Sequence, residues 1–333
     1  MNSFRTEIFP EKSNFSIGYH QKTVFIGSCF TENIGNKFIE NKFPVLVNPF
    51  GVLYNPLSVQ KAIGLIIKQK KFKDDDLQFA NDKWFSFEHH GSFSGTDKEL
   101  VLKNINKQID ESYRFLKNAD ALFVTFGTSW YYQLKTNQKV VANCHKLPAN
   151  RFNCKLLSVE EIVAAWTELI GQLKKFNPEI KLIFTISPIR HWKDGAVNNQ
   201  LSKSILNVAI HRLIEKFEQT SYFPAYELVM DDLRDYRFYA DDFLHPNTQA
   251  INYIWDKFTA VFIEDKNLQI AKQINRITKA ISHRPLHPKT ETYRKFVQAN
   301  IEKIKQFGKE YPFVDFFKEK EYFEGELRKW FVG

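Results

Sequence analysis

Cysteine is scarce in this 333-residue chain: Cys29, Cys144 and Cys154 are the only three. A small odd number argues against a disulfide framework as a source of stability. Long apolar runs are missing too. Stretches such as Ala121 to Phe126 fall far short of the ~20 residues that cross a bilayer. Met1 to Pro10 has no basic segment followed by an apolar one, so no secretory leader is expected and a cytoplasmic location is. No internal repeat, P-loop, Gly-x-Gly-x-x-Gly, His-Glu-x-x-His or Cys-x-x-Cys occurs, which leaves no sequence support for a cofactor or a resident metal. Zinc-finger and RNA-recognition signatures are absent as well, so nucleic acid is not an expected partner.

What is present is an ordinary globular composition, 43% hydrophobic and 26% charged. That suffices for one large domain or two small ones. The net charge is +9. Residues 266–333 carry 15 Lys/Arg against 8 Asp/Glu, a balance of +7, so the rest is nearly neutral. The basic tail reads as a solvated helical face or as a surface for an acidic ligand, such as a phosphate-bearing acyl donor.

Lys22 to Gly35 organises the rest. Thr23-Val24-Phe25-Ile26 alternates and is β-branched, predicting a strand. Gly27 permits a sharp turn. A helix is predicted from Thr31 as N-cap, with Phe30, Ile34 and Phe38 on one face. Ser28 and Cys29 are thereby placed where backbone N–H groups converge and the helix dipole favours negative charge. Such a place stabilises an oxyanion or a thiolate.

Gly27-Ser28-Cys29-Phe30-Thr31 resembles the first block of the SGNH/GDSL hydrolases, and more closely the GSCFA family, a bacterial branch of that superfamily. In this register Cys29 holds the nucleophile position and Ser28 stands where relatives carry Asp; Ser28 is the rival nucleophile. Gly51, after a second predicted strand at 43–47, resembles the glycine whose N–H enters the oxyanion hole. Ser129, in Gly127-Thr128-Ser129, holds the position of the asparagine in the third block, and Asn143 is a substitute donor. Asn143-Cys144-His145-Lys146 resembles a segment recurring in the family. Asp242-x-x-His245 resembles the last block. A turn fixed by Pro246 can aim His245 at the nucleophile while Asp242 holds its other ring nitrogen; Asp241 is a fallback.

The remaining pattern alternates strands and helices. Apolar runs at 121–126 and 180–186 predict buried parallel strands, and helices are predicted near 55–67, 97–117, 158–176, 199–220 and 247–263. Residues 84–93 predict an aromatic hairpin or rim loop in which His90 or His89 faces the pocket. A short final strand is predicted at 222–226. Arg190 and His191 follow the 180–186 strand, where open α/β sheets bind ligands; they are substrate contacts, or else a loop ion pair and a packed ring. His145 is a further substrate contact. A metal site from His89, His90, Cys144, His145 or His191 is a remote alternative.

The expected fold is a three-layer αβα sandwich with a mostly parallel sheet, similar to the flavodoxin-like SGNH hydrolases. Residues 1–265 would form that domain. Residues 266–333 would be a helical extension packing on it, with periodic segments at 268–281 and 290–307 and a proline-marked linker at 283–288. The resemblance implies an ester hydrolase removing a small O-acyl group from a sugar or polar metabolite through Cys29 or Ser28, His245 and Asp242. An acyltransferase using an acyl thioester and a catalytically idle binding protein are the alternatives. The expected partner is a small-molecule ester, with no nucleic acid and no membrane, the oligomeric state being open.

Overall fold

The structure, a computed structural model, describes residues 6–281, 285–288 and 290–330. In chain order it runs β1 (Thr23–Gly27), α1 (Cys29–Glu40), β2 (Val45–Val47), α2 (Pro56–Ile67), β3 (Gln78–Ala80), β4 (Lys83–Phe85), α3 (Lys98–Lys117), β5 (Ala121–Phe126), β6 (Trp130–Leu134), β7 (Val140–Val141) and β8 (Phe152–Leu156). Then come α4 (Val159–Phe176), β9 (Lys181–Ile186), α5 (Gly195–Lys216), β10 (Thr220–Tyr222), the single turn α6 (Ala225–Glu227), α7 (Thr248–Phe262), α8 (Asp265–Ile281), α9 (Glu291–Glu310) and α10 (Phe317–Arg328). The linker expected at 283–288 lies partly outside the described residues, as do the last three residues of the chain.

Five strands form a wholly parallel sheet in the order β10-β9-β5-β1-β2. Its central strands are continuous apolar runs because both faces are covered. Side chains alternate between the faces: Phe25, Phe123 and Ile183 enter one apolar cluster, while Val24, Ile26, Leu122, Val124 and Phe184 enter the other. Helices α1 and α7 to α10 contribute to the first cluster, and α2 to α5 to the second. Phe25 and Phe123 stack with centroids 4.8 Å apart, and Phe258 of α7 closes on Phe123 at 5.1 Å. Truncating any one of these rings to Ala is worth about 3–5 kcal/mol.

The C-terminal helices join this same core. Tyr293, Val297, Ile304 and Phe307 of the predicted stripe on α9 are buried, and Phe323 of α10 is fully so. Lys42, just past α1, pairs with Glu319 of α10 at 2.9 Å.

Local signals account for most element ends. Asn55, Asp97, Ser158, Asn247 and Thr290 each cap the helix that follows by accepting a backbone N–H. Four details differ from expectation. α1 begins at Cys29, because Ser28 is extended (φ −70°, ψ 173°) and occupies the cap position without a side-chain bond; Thr31 is buried within the first turn instead. β10 ends at Tyr222, after which the chain turns and the Ala225 N–H donates back to the Phe223 carbonyl at 2.8 Å. β8, which pairs antiparallel with β6, and α10 lie outside the expected elements, although Phe152, Cys154 and Leu156 of β8 alternate as a strand does.

Candidate active site

The strand order reverses between β5 and β1, with β9 beyond one and β2 beyond the other. Open parallel sheets form their ligand crevice at the carboxyl ends beside such a point. The three segments leaving β1, β5 and β9 meet there.

The segment after β1 is shaped by Gly27. Its φ is +141°, and a Cβ would stand 2.1 Å from the Thr125 carbonyl oxygen. Only glycine lets β1 leave so close to β5. The Gly27 N–H donates to Asn48 Oδ1 at 2.9 Å, and the Ser28 N–H to the Thr125 oxygen at 3.1 Å. Cys29 is therefore the first helical residue, where N–H groups have no partner inside the helix.

The segment before α7 supplies the imidazole. Asp242 Oδ1 accepts the N–H groups of Leu244 and His245, each at 2.9 Å. Its Oδ2 meets His245 Nδ1 at 2.5 Å. With that proton held on Nδ1, Nε2 is left as an acceptor, and it lies 3.9 Å from Cys29 Sγ. The turn continues through Pro246 to the cap Asn247, whose Oδ1 accepts from Ala250 N–H at 3.1 Å.

The electrostatics follow from this geometry. The His245 and Leu244 N–H groups, with the imidazole beside them, hold the Asp242 carboxyl well below its usual range, at about 2. Burial pushes the Cys29 thiol up; its own N–H and that of Phe30 pull it down, Glu32 adds to the rise and Lys203 opposes it, the net direction being upward. The sulfur is thus a thiol that needs a base beside it rather than a standing thiolate.

A cavity of about 300 Å³ opens over the sulfur, lined by Ser28, Cys29, Tyr54, Arg190, His191 and His245 among others. Burial, with Lys203, Lys193 and His245 nearby, pushes His191 down to about 4, so it is a neutral ring; it meets Tyr54 edge-to-face at 5.3 Å. Ser28 is 1% exposed and its hydroxyl has no hydrogen-bond partner among the described residues.

Lys203 was not anticipated. It lies on α5, only 2% exposed, and its ammonium donates to the carbonyl oxygens of Gly127 (2.7 Å) and Ser187 (2.6 Å), at the ends of β5 and β9. Burial pushes it down to about 7. The signal was present: Lys203 falls in helical register with Leu206 and Ile210, a lysine on a buried stripe.

The other candidates lie elsewhere. The Gly51 N–H, expected in an oxyanion hole, donates to the Asn48 carbonyl at 2.7 Å, and its φ of +72° closes a turn against His90. Ser129 is fully buried, with N–H and hydroxyl both bound to Ser202. Asn143 caps its own turn by accepting the His145 N–H at 2.7 Å and lines a neighbouring cavity. His145 stacks on Phe85 and bonds the Ser86 carbonyl through Nε2. His90 caps a short turn through Ser92, and His89 is buried against Phe50. In this turn Asp242 rather than Asp241 takes both the ring and the backbone bonds of His245. Among the described residues no three His, Cys, Asp or Glu side chains converge in a metal-binding group, and no helix is long and apolar enough to cross a membrane.

Fold and site together define an α/β protein with a Cys-His-Asp set at the carboxyl edge of a parallel sheet. The chain belongs to the GSCFA family, whose profile matches residues 22–258, and a profile of the GSCFA domain protein C-terminal domain matches 274–329. No curated protein matches it in sequence. Among solved structures, a carbohydrate esterase family 3 protein from Talaromyces cellulolyticus is similar over 76% of this chain and 99% of its own, at 10% identity and a TM-score of 0.34. An acetyl xylan esterase, Est2A, from the rumen bacterium Butyrivibrio proteoclasticus is similar over 72% and 63%, at 10% identity and a TM-score of 0.36.

Proposed function

We propose that this protein hydrolyses an ester by acyl transfer through Cys29, removing a small O-acyl group from a sugar or other polar metabolite in the manner of the SGNH/GDSL hydrolases. The observation that carries the reading is the continuous contact from Asp242 through His245 to the Cys29 sulfur. It sits at a helix start, beneath a cavity at the switch point of the sheet.

In the first half-reaction His245 Nε2 takes the thiol proton as sulfur bonds to the acyl carbon, and the carbonyl electron pair moves onto oxygen. The N–H groups of Cys29 and Phe30, which face the sulfur, receive that oxyanion with the positive end of α1 behind them. Collapse breaks the ester C–O bond, and the departing alkoxide takes the proton from His245. In the second half His245 accepts a proton from water, whose oxygen attacks the thioester carbon. The C–S bond breaks, and the sulfur recovers the proton as the acid leaves. Asp242 holds the tautomer throughout. His245 and Asp242 side chains are each 48% exposed, so water reaches the acyl-enzyme, which favours hydrolysis over transfer to a second substrate.

The test is brief exposure of the protein to an activated acetyl ester, followed by peptide mass spectrometry. One added acetyl on the Cys29 peptide is expected. Acetylation of Ser28 instead, or of neither, overturns the assignment.

A further inference from the structure

A second cavity, about 760 Å³, adjoins the Cys29 cleft and shares Arg190 with it. The turn carrying Asp242 and His245 forms the wall between the two, since Asp242 lines one and His245 the other. The size is that of a site for a whole small molecule.

Three large aromatic side chains line this cavity and stand open: Trp192 is 55% exposed, Tyr236 74% and Phe243 61%. Phe243 is held there at a cost, because its φ is +58°, a left-handed conformation rare for a bulky residue. The ring thus projects from the middle of the His245 turn, edge-to-face with Tyr236 at 5.7 Å. Strain concentrated at such a point marks a surface kept for a ligand rather than for packing.

The charges around it are unevenly spent. Arg234 is paired with Asp231 and Arg237 with Asp235, and Asp242 is engaged by His245. Arg190, half-buried at the junction of the two cavities, makes no ion pair among the described residues, and its one polar contact is the Met230 thioether at 4.0 Å. A guanidinium left without a carboxylate in a partly desolvated cleft is suited to bidentate recognition of an anion.

Resting on the acyl-transfer reading, we propose that the acyl group is carried by a saccharide bearing an anionic substituent, a carboxylate or a phosphate. Its charge lies against Arg190, and the apolar face of its ring lies across Phe243, Tyr236 and Trp192. The ester then reaches over the Asp242–His245 turn to the sulfur.

The test uses the full-length Cys29→Ala protein, in which nothing is turned over, and isothermal titration with three probes: acetylated glucuronic acid, acetylated glucose phosphate and neutral acetylated glucose. At low salt an anionic probe binds about tenfold tighter than the neutral one, the scale of one charge-assisted contact. Whichever anion binds tighter identifies the substituent. Arg190→Gln abolishes the preference, Arg190→Lys keeps part of it, and Phe243→Ala weakens all three probes alike. Equal binding of charged and neutral probes, no binding of any, or a preference that survives Arg190→Gln overturns the proposal. If the Arg190-dependent preference holds but the wild-type protein hydrolyses none of the probes, the ligand class stands and the hydrolase reading falls.

Discussion

The side-chain nitrogen of Lys203 donates to the carbonyl oxygen of Ser187 across 2.6 Å, placing a buried amine beneath the strand end that walls the Cys29 cleft. A second bond to Gly127 ties β9 to β5 at the same level. The segments bearing the cleft are thereby fixed to a helix on the covered face of the sheet.

That tie has a pH signature. Lys203 ordinarily titrates near 10.5 and is pushed down to about 7 in the fold. Between those values the unfolded chain binds a proton that the folded one does not, so stability rises with pH across this window. The Lys203→Met variant is expected to lose that slope. It also leaves two buried carbonyls unpaired, at about 1–3 kcal/mol. Urea unfolding midpoints of both proteins from pH 7 to 10 check the difference.

The Cys29–His245 pair predicts an asymmetry with Ser28. Cys29→Ala is expected to lower ester turnover by at least about a thousandfold, on the scale of nucleophile deletions, while Ser28→Ala keeps most of it. Because burial raises the Cys29 thiol, its reactivity at neutral pH depends on the imidazole. Alkylation of the Cys29 peptide by iodoacetamide at pH 7 is expected to slow about tenfold in His245→Ala, as followed by mass spectrometry.

Asp242→Asn removes the group that fixes the His245 tautomer, and turnover is expected to fall on the order of 10²–10⁴-fold. Asp242 is held at about 2 in the fold. A lowered carboxylate stabilises the fold above its unfolded value and loses that contribution as pH falls through its folded value. The wild-type and variant stabilities should therefore differ above roughly pH 4 and converge toward pH 2. Chemical unfolding across that range measures the convergence.

Gly27→Ala sets a Cβ 2.1 Å from the Thr125 oxygen at a φ of +141°. A loss of more than about 2 kcal/mol is expected, together with loss of turnover, since the first turn of α1 would shift with the strand. Thermal unfolding and the activated-ester assay check both.

Local chemistry was legible in the sequence. Two buried parallel strands, the helices opening near Asn55, Asp97, Ser158 and Asn247, and the glycine turn before Cys29 all rest on neighbours within a few residues, and propensity, capping and backbone freedom act over that range. The spacing of Asp242 and His245 was legible for the same reason, because one turn makes their contact. Which distant groups share a space was decided only by the tertiary structure. The packing of α7 against α1 brings His245 to Cys29. The same packing turns the Ser129 hydroxyl onto Ser202 and seats Lys203 beneath two strand ends. Those outcomes depend on how helices and sheet close over one core, a balance of burial and hydrogen-bond satisfaction summed across the whole chain, and no single stretch of sequence contains it.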